Sequence, residues 1–159
     1  ASMVKLATQD NKGVVVDNFC GSGTILAEAY LVGDDIYGGD IETTAVEAAL
    51  HNLSNLGYKT EGKIKKLDAL KAPWKDKQFD FAISNLPWDK QIEIKSVTDL
   101  YVGTLSEYAR ILKPEGRLCL LVSKPDLLIK HAKALFPNKK INKIQIGFLG
   151  QTPTIITII

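Results

Sequence analysis

The chain has 159 residues, 45% hydrophobic and 24% charged, which indicates one globular domain with a core of its own. No apolar run approaches the roughly 18 residues of a membrane span, and no basic, apolar and small segments succeed each other as in a signal peptide. Two cysteines, Cys20 and Cys119, give neither a disulfide framework nor metal-ligand spacing. We therefore expect a cytoplasmic protein with no membrane partner and no bound metal.

The net charge of +2 is unevenly distributed along the chain. Residues 1–58 contain two Lys and eight acidic residues, whereas residues 59–159 contain eighteen basic and ten acidic residues. Scattered lysines mostly serve solubility, but a basic half is also typical of attraction to a polyanion such as nucleic acid. Arg, which clamps phosphates and bases bidentately, occurs only at positions 110 and 117, so charge leaves both interpretations open.

Strand-like and helix-like segments alternate from one end of the chain to the other. Short β-branched or apolar runs predict strands at residues 13–19, 36–40, 63–67, 79–84 and 117–123. Helical spacing of apolar residues predicts helices at residues 25–33, 42–56, 100–112 and 126–136. Residues 113–116, KPEG, predict a turn. The last two apolar segments, residues 141–149 and 152–159, follow each other so closely that they predict an antiparallel hairpin.

This alternation predicts an α/β fold, a doubly wound and mostly parallel sheet of seven strands with helices on both faces. Ligands of such sheets bind outside the carboxyl ends of the strands, near the switch in strand order. The loops at residues 18–24, 40–42 and 85–88 should therefore meet on one rim. Residues 68–69, after the third strand, join the same rim.

The loop DNFCGSGT follows the first strand and carries two glycines. Gly21 and Gly23 permit tight turning and close backbone approach to a ligand at a helix start. The dinucleotide fingerprint requires a third glycine where this chain has Leu26, and triphosphate-binding loops require a Gly-Lys-Ser/Thr that is missing. These departures disfavour an NAD-linked dehydrogenase, and the chain also offers no evident acid or base for hydride transfer.

Two acidic residues stand at the ends of the second and third strands. Asp40 can accept both hydroxyls of a ribose, with Ile41 beside it as an apolar face for an adenine ring. Asp68 can accept from an adenine amino group, while the Ala69 N–H donates to a ring nitrogen. Each acid also has a structural alternative, because Asp40 can cap the next helix and Asp68 can start a turn. Together with the glycine loop, they predict a nucleoside pocket.

Four segments, VVVDNFCGSGTILAEA, GGDIETTAVEAALHN, KLDAL and FDFAISNLPW, resemble in their order and spacing the class I S-adenosylmethionine-dependent methyltransferases. Within that class the chain is similar to the catalytic domain of the THUMP-associated RNA guanine-N2 methyltransferases, a group also described as N6-adenine DNA methylase-like. The similarity covers nearly the whole chain. It implies a Rossmann-like class I methyltransferase fold and S-adenosylmethionine as the cofactor.

The resemblance also implies roles for individual residues. Asp17 would lie close to the methionine part of the cofactor, and Thr24 would begin the helix behind the loop. Asp40 and Asp68 match the family's ribose-binding and adenine-binding acids, with Ile41 and Ala69 beside them. The loop residues that would wrap the cofactor are Phe19, Cys20, Gly21, Ser22 and Gly23.

The catalytic Asn/Asp-Pro-Pro-aromatic motif of this family matches Asn85, Leu86, Pro87 and Trp88, and Asn85 would also border the cofactor. A base amine is a poor nucleophile because its lone pair is delocalised into the ring. If the Asn85 side-chain carbonyl and the Leu86 backbone carbonyl each accept one N–H, the nitrogen becomes more pyramidal and its lone pair can point at the sulfonium methyl. Trp88 would stack on the base, a contact of about 1–3 kcal/mol, and a duplex target would first be flipped out.

Three positions depart from the family pattern. Asn18 stands where many relatives have Pro, which predicts a slightly looser glycine loop. Leu86 replaces the first Pro of the motif, and Asp89 stands beside the substrate entry where Gly is usual. No histidine base is expected, because His51 and His131 fall on predicted helices as exposed residues.

The resulting hypothesis is methyl transfer to the N2 amine of a guanosine in tRNA. Adenine-N6 methylation of DNA is an alternative, since the same motif grips either amine, and a non-catalytic module that binds the cofactor or nucleic acid is another. Residues 1–159 are predicted to be the catalytic domain. The segment ASMVKLAT resembles the end of the helix before the family's cofactor pocket, which predicts a fragment of a longer chain that lacks its N-terminal RNA-binding domain.

Overall fold

The computed structural model describes residues 3–87, 97–147 and 153–159. The strands of these residues are β1 (Val14–Asp17), β2 (Asp35–Asp40), β3 (Ile64–Lys66), β4 (Phe79–Asn85), β5 (Leu112–Val122), β6 (Ile141–Gln145) and β7 (Thr154–Ile158). The helices are α1 (Met3–Thr8), α2 (Thr24–Leu31), α3 (Thr43–Asn55), α4 (Val97–Ile111) and α5 (Pro125–Leu135), and a 3-10 turn spans Ala69–Lys71. None of the described helices has the length and apolar character needed to cross a membrane.

The strands form one seven-stranded sheet in the order β3-β2-β1-β4-β5-β7-β6. Strands β1 to β5 are parallel, whereas β7 is antiparallel to both of its neighbours, β5 and β6. The predicted α/β class and the predicted C-terminal hairpin are confirmed. The order of strands reverses between β1 and β4, so the carboxyl ends of these two strands border the crevice where such sheets bind ligands.

The helices cover both faces of the sheet because each presents an apolar stripe to it. On one face, α1, α2 and α3 pack over a cluster that includes Val46, Ala49 and Leu53 of α3, which recur at helical spacing. On the other face, α4 and α5 pack over a second cluster that includes Tyr101 and Tyr108. The sheet is therefore buried on both sides, as expected for parallel strands.

The KPEG segment differs from its prediction as a separate turn, because it lies inside β5. Phe79 of β4 is paired with Leu112, whereas Phe81 is paired with Arg117, so residues 113–116 bulge out of the ladder. The turn signal is thus absorbed by the strand. Beyond the bulge, the Arg117 guanidinium donates to the carbonyl of Thr8 at 3.1 Å and ties α1 to β5.

Candidate active site at the carboxyl end of the sheet

The carboxyl ends of β1, β2 and β3 are tied to one another by backbone hydrogen bonds. The Cys20 N–H donates to the Gly39 carbonyl at 2.9 Å, and the Leu67 N–H donates to the Asp40 carbonyl at 3.0 Å. The loops that follow these strands consequently start from one rigid edge, as the parallel topology predicts.

The glycine loop turns sharply onto α2. Gly21 and Gly23 have φ angles of +52° and +84°, which favour glycine, and the Gly23 N–H donates to the Cys20 carbonyl at 2.8 Å. A Cβ at Gly21 would meet no atom within 4 Å, so the backbone there borders open space. From the side of α3, the Asn52 amide donates to the Ser22 carbonyl at 3.0 Å, a contact that sequence reasoning missed.

Asp40 links the glycine loop to the connection between β2 and α3. Its Oδ2 accepts from the Gly21 N–H at 3.0 Å, and its Oδ1 accepts from the Glu42 N–H at 3.1 Å. Glu42, and not Asp40, is the N-cap residue of α3, without a side-chain hydrogen bond. Each carboxylate oxygen of Asp40 keeps a second lone pair, which suits hydroxyl donors. Ile41 beside it is 58% exposed, an apolar side chain facing solvent.

Asp68 lies exposed on the same rim, at the end of the connection from β3. Its Oδ1 accepts from the Leu70 N–H at 2.9 Å and caps the 3-10 turn, which buries Ala69. The structural alternative for Asp68 is therefore realised. The bond from Leu70 uses only one lone pair of the exposed Asp68 carboxylate, so the others can accept from a further donor.

Asp17 differs from the other two acids because it is enclosed beneath the glycine loop. Its side chain is 1% exposed, and its Oδ1 accepts from the Phe19 N–H at 3.0 Å and from the Ser84 hydroxyl at 2.6 Å. Burial raises the pKa of Asp17 to about 7, although these two hydrogen bonds lower it, and the charge of Asp40 raises it further. Asp17 thus holds the loop from the interior.

Asn18, the position predicted to loosen the loop because proline is missing, is held in the interior by two hydrogen bonds. It is 1% exposed, its N–H donates to the Tyr108 hydroxyl at 3.2 Å, and its Oδ1 accepts from the Trp74 indole at 2.9 Å. A proline would lack that N–H. The Asn18 Nδ2 has no partner among the described residues. Sequence reasoning missed Tyr108 and Trp74, which lie far from Asn18 along the chain.

The two cysteines are free thiols in the interior. Burial, reinforced by the charges of Asp17 and Asp40, raises the pKa of the Cys20 thiol well above its usual range. Burial raises the pKa of Cys119 to about 12. Both thiols therefore remain protonated and non-nucleophilic at neutral pH.

The catalytic segment predicted after β4 begins on the same rim. Asn85 is the last residue of β4 and is exposed, whereas Leu86 is 1% exposed and belongs to the core cluster under α4 and α5. The Leu86 N–H donates to the Leu121 carbonyl at 3.0 Å, and Pro87 is half-buried. The leucine that replaces the usual first proline therefore anchors the segment through its side chain.

The remaining predicted positions fall elsewhere. Trp88 and Asp89 lie outside the described residues. His51 lies on the exposed face of α3 beside Asn55, and His131 lies on α5, so neither is part of the rim loops. Within residues 3–87, 97–147 and 153–159, no group of three or more His, Cys, Asp and Glu side chains could hold a metal ion.

The side chains on the rim have the chemistry to bind a nucleoside. Two carboxylates with spare acceptor capacity, Asp40 and Asp68, suit hydroxyl and amino groups, and the exposed Ile41 suits the face of a base. The open space at Gly21 leaves room for a ligand against the loop backbone.

Comparisons with known proteins agree with this geometry. The family model described as UPF0020, RMKL-like, methyltransferase domain, matches residues 1–152. The U6 snRNA (guanine-N(2))-methyltransferase THUMPD2 of Bos taurus is 29% identical over 126 residues, covering 77% of this chain and 24% of that protein. The tRNA (guanine(6)-N(2))-methyltransferase THUMP3 of Bos taurus is 28% identical over 134 residues, covering 75% and 26%. The chain thus spans about a quarter of the length of these curated relatives.

A solved structure extends the comparison to the whole fold. TrmN from Thermus thermophilus superposes with a TM-score of 0.82 and 25% identity, covering 98% of this chain and 46% of that one. The chain therefore belongs to the UPF0020, RMKL-like, methyltransferase-domain family, and its fold is that of the class I S-adenosylmethionine-dependent methyltransferases.

Proposed function

We propose that this domain transfers a methyl group from S-adenosylmethionine to the N2 amine of a guanosine in tRNA. The observation that carries the proposal is the exposure of Asn85 at the carboxyl end of β4, next to the strand that leads into the glycine loop. The similarity to two relatives named as guanine-N2 methyltransferases of RNA supports guanine as the target base and RNA as the substrate. The name of one of them supports tRNA.

The cofactor would be held by residues of three loops. Asp40 would accept from the ribose hydroxyls, and Asp68 from the adenine amino group, with Ile41 and Ala69 beside the ring. The backbone of residues 19–23 would surround the methionine part, with Thr24 beginning the helix behind it. When bound, the cofactor supplies an electrophilic methyl group on a sulfonium sulfur.

The chain's own contribution to the reaction is positioning. The Asn85 side-chain carbonyl and the Leu86 backbone carbonyl would each accept one N–H of the target amine and orient its lone pair. The buried Leu86 side chain and the bond from its N–H to Leu121 restrain this segment. Asn85 cannot take up the proton that the nitrogen loses, so the proton passes to water. Pro87 and Trp88 complete the proposed site, with Trp88 stacking on the base.

The charge distribution supports nucleic acid as the partner. Lysines of residues 59–159 that are exposed on the surface include Lys66, Lys71, Lys130 and Lys140. Three others are neutralised in part by carboxylates, in the pairs Lys63–Asp35, Lys113–Asp80 and Lys143–Asp126. A cytoplasmic location is part of the proposal, because free, buried thiols fit a reducing compartment.

The full-length protein, incubated with methyl-labelled S-adenosylmethionine, tests the proposal directly. Parallel reactions contain tRNA, U6 snRNA or duplex DNA, and each product is digested to nucleosides. We expect label in N2-methylguanosine from tRNA. Label only in U6 snRNA would show that the substrate is another RNA and not tRNA. Label only in DNA, as N6-methyladenine, would show that the substrate is DNA and not RNA. Cofactor binding without labelling of any substrate would favour a non-catalytic module.

Replacing Asn85 tests the catalytic segment. Asn85→Ala removes one of the two proposed acceptors of the amine, so we expect methyl transfer to fall about a hundredfold, the usual effect of removing one such group. Because Asp40, Asp68 and the glycine loop are unchanged and Asn85 only borders the cofactor, affinity for S-adenosylhomocysteine measured by calorimetry should stay within about threefold. Asn138→Ala, at an exposed position after α5, is the matched control and should keep full activity. Equal activity of Asn85→Ala and wild type would refute the role.

A further inference from the structure

Beneath the rim, polar side chains from four parts of the fold form one hydrogen-bonded group. They are at most 7% exposed, and they come from β1 and the loop after it, the connection before β4, the end of β4, and α4. We call them the buried hub: Asp17, Asn18, Trp74, Ser84 and Tyr108. Polar groups this deeply enclosed are usually paired, and apart from the Asn18 Nδ2 the hydrogen bonds within the group constrain its geometry.

The direction of each bond in the buried hub follows from the number of protons available. When Asp17 is ionised, Ser84 donates its one hydroxyl proton to Asp17 Oδ1 at 2.6 Å. In that state the Tyr108 hydroxyl, which contacts the Ser84 Oγ, donates to it. The oxygen of Tyr108 accepts from the Asn18 N–H at 3.2 Å. A single hydroxyl on α4 thus contacts the chain at the carboxyl ends of both β1 and β4.

The helix that carries this hydroxyl is itself fixed to the connection between β3 and β4. Arg110 donates to the carbonyls of Trp74 at 2.8 Å and Ala72 at 3.1 Å, and Glu107 Oε1 accepts from the Ala72 N–H at 2.9 Å. Trp74 in turn donates to Asn18. The hydroxyl of Tyr108 is therefore held from several sides, which a group that positions others requires.

The two contacts of Tyr108 lie next to the two halves of the proposed reaction. Asn18 directly precedes the glycine loop at residues 19–23, and Ser84 directly precedes Asn85. We propose that Tyr108 is a positioning residue, whose hydroxyl fixes the cofactor loop against Asn85 at the carboxyl ends of the paired strands β1 and β4. This inference rests on the proposed function, because it concerns the approach of the amine to the methyl group. Small misplacements of reacting groups lower rates strongly while leaving each binding event nearly intact.

Tyr108→Phe removes this hydroxyl and almost nothing else. In the full-length protein with saturating tRNA and cofactor, we expect kcat to fall about tenfold or more, with the Kd for S-adenosylhomocysteine within about threefold of wild type. Ser84→Ala breaks the same connection from β4 and should lower kcat by a similar factor. A kcat of Tyr108→Phe within twofold of wild type would overturn the proposal.

Tyr101→Phe is the matched control. Tyr101 lies on the same helix and is also fully buried, but its hydroxyl accepts from the Lys124 N–H at 3.2 Å, after β5. Both variants lose one buried hydroxyl, so both should lower Tm by similar amounts, whereas Tyr101→Phe should keep kcat within about twofold. If Tyr101→Phe lowers kcat as much as Tyr108→Phe, the effect of Tyr108 is one of stability and the proposal fails.

Hydrogen exchange separates this inference from the proposed function, because it requires no turnover. The amides of Cys20, Gly21, Gly23 and Leu86 are hydrogen-bonded in the structure. In Tyr108→Phe we expect faster exchange in both residues 20–23 and residue 86, and no change there in Tyr101→Phe. If the wild type methylates no RNA, the proposed function fails while exchange still decides the role of Tyr108. Unchanged exchange at either strand end refutes it.

Discussion

Asp17 differs in burial from the two other acids that are predicted to bind the cofactor, Asp40 and Asp68. Asp40 is half-buried at the end of β2 and Asp68 is exposed after β3, whereas Asp17 is enclosed with Ser84 and the Phe19 N–H as its partners. Sequence reasoning placed all three acids on the rim but could not rank their burial. The side chains that enclose the loop are distant in sequence: Ser84 is 67 residues from Asp17, and Tyr108 is 90 residues from Asn18. Such separations have no local sequence signal.

The pKa of Asp17 makes the stability of the fold depend on pH. The pKa of Asp17 is 3.8 for the free side chain and about 7 in the fold, and burial is the main cause of this rise. Between pH 3.8 and 7, the folded state therefore keeps the carboxyl proton of Asp17, which the unfolded state loses. The stabilising contribution of Asp17 is therefore complete below pH 4 and is lost as the pH rises through 7.

Asp17→Asn removes this titration and keeps an oxygen acceptor. Relative to wild type, its free energy of unfolding should improve as the pH rises from 4 to 8, by about 4 kcal/mol at most. Urea denaturation of both proteins at a series of pH values measures the difference. Asn138→Ala, at an exposed position that carries no titratable group, is the control, and its difference from wild type should not vary with pH. Parallel curves for Asp17→Asn and wild type would contradict the assignment.

At the scale of elements, the strand ends meet because β2 has glycines where side chains would collide. A Cβ at Gly39 would lie 2.0 Å from the Lys65 carbonyl oxygen and 2.8 Å from the Leu67 side chain. The first atom is backbone and cannot turn away as a side chain can. The close approach of β2 and β3 brings Asp40 next to Leu67 and the connection that carries Asp68.

Gly39→Ala should therefore separate these two strands. We expect a loss of about 3 kcal/mol or more in the free energy of unfolding, above the usual range for an added methyl group, because backbone must move. Chemical denaturation measures this loss, and calorimetry should show weaker binding of S-adenosylhomocysteine. Gly147→Ala, where a Cβ would meet nothing within 4 Å, is the control and should change stability little. If Gly39→Ala lowers the free energy of unfolding by less than 1 kcal/mol, the prediction is wrong and the β3 backbone shifts at little cost.

Most elements were predictable because their signals are local. The β-branched run of β1 and the apolar spacing of α3 identify a strand and a helix without any tertiary information. The sequence could not reveal that KPEG bulges from β5, because a bulge is defined by the partner strand. It also predicted the pairing of β6 with β7, but not that β7 lies next to β5.

For the whole molecule, the basic character of residues 59–159 predicts salt-sensitive RNA binding. Release of counterions from each phosphate contact weakens binding as salt rises, so the Kd for tRNA should increase about tenfold or more between 50 and 200 mM KCl. Filter binding at several salt concentrations measures this. Binding of S-adenosylhomocysteine, which involves no polyanion, is the control and should change less than about twofold. A Kd for tRNA that is independent of salt would argue against a phosphate-binding surface.

The position of β7 imposes an order on folding. β6 is hydrogen-bonded to β7 at the outer edge of the sheet, and β7 comes later in the chain. During synthesis β6 must therefore wait, unpaired, until residues 154–158 have left the ribosome. Until these residues also dock on β5, the edge of β5 is open to other strands, which exposes the chain to misassembly. A chain arrested before residue 154 would hold the glycine loop and Asn85 on an unfinished sheet.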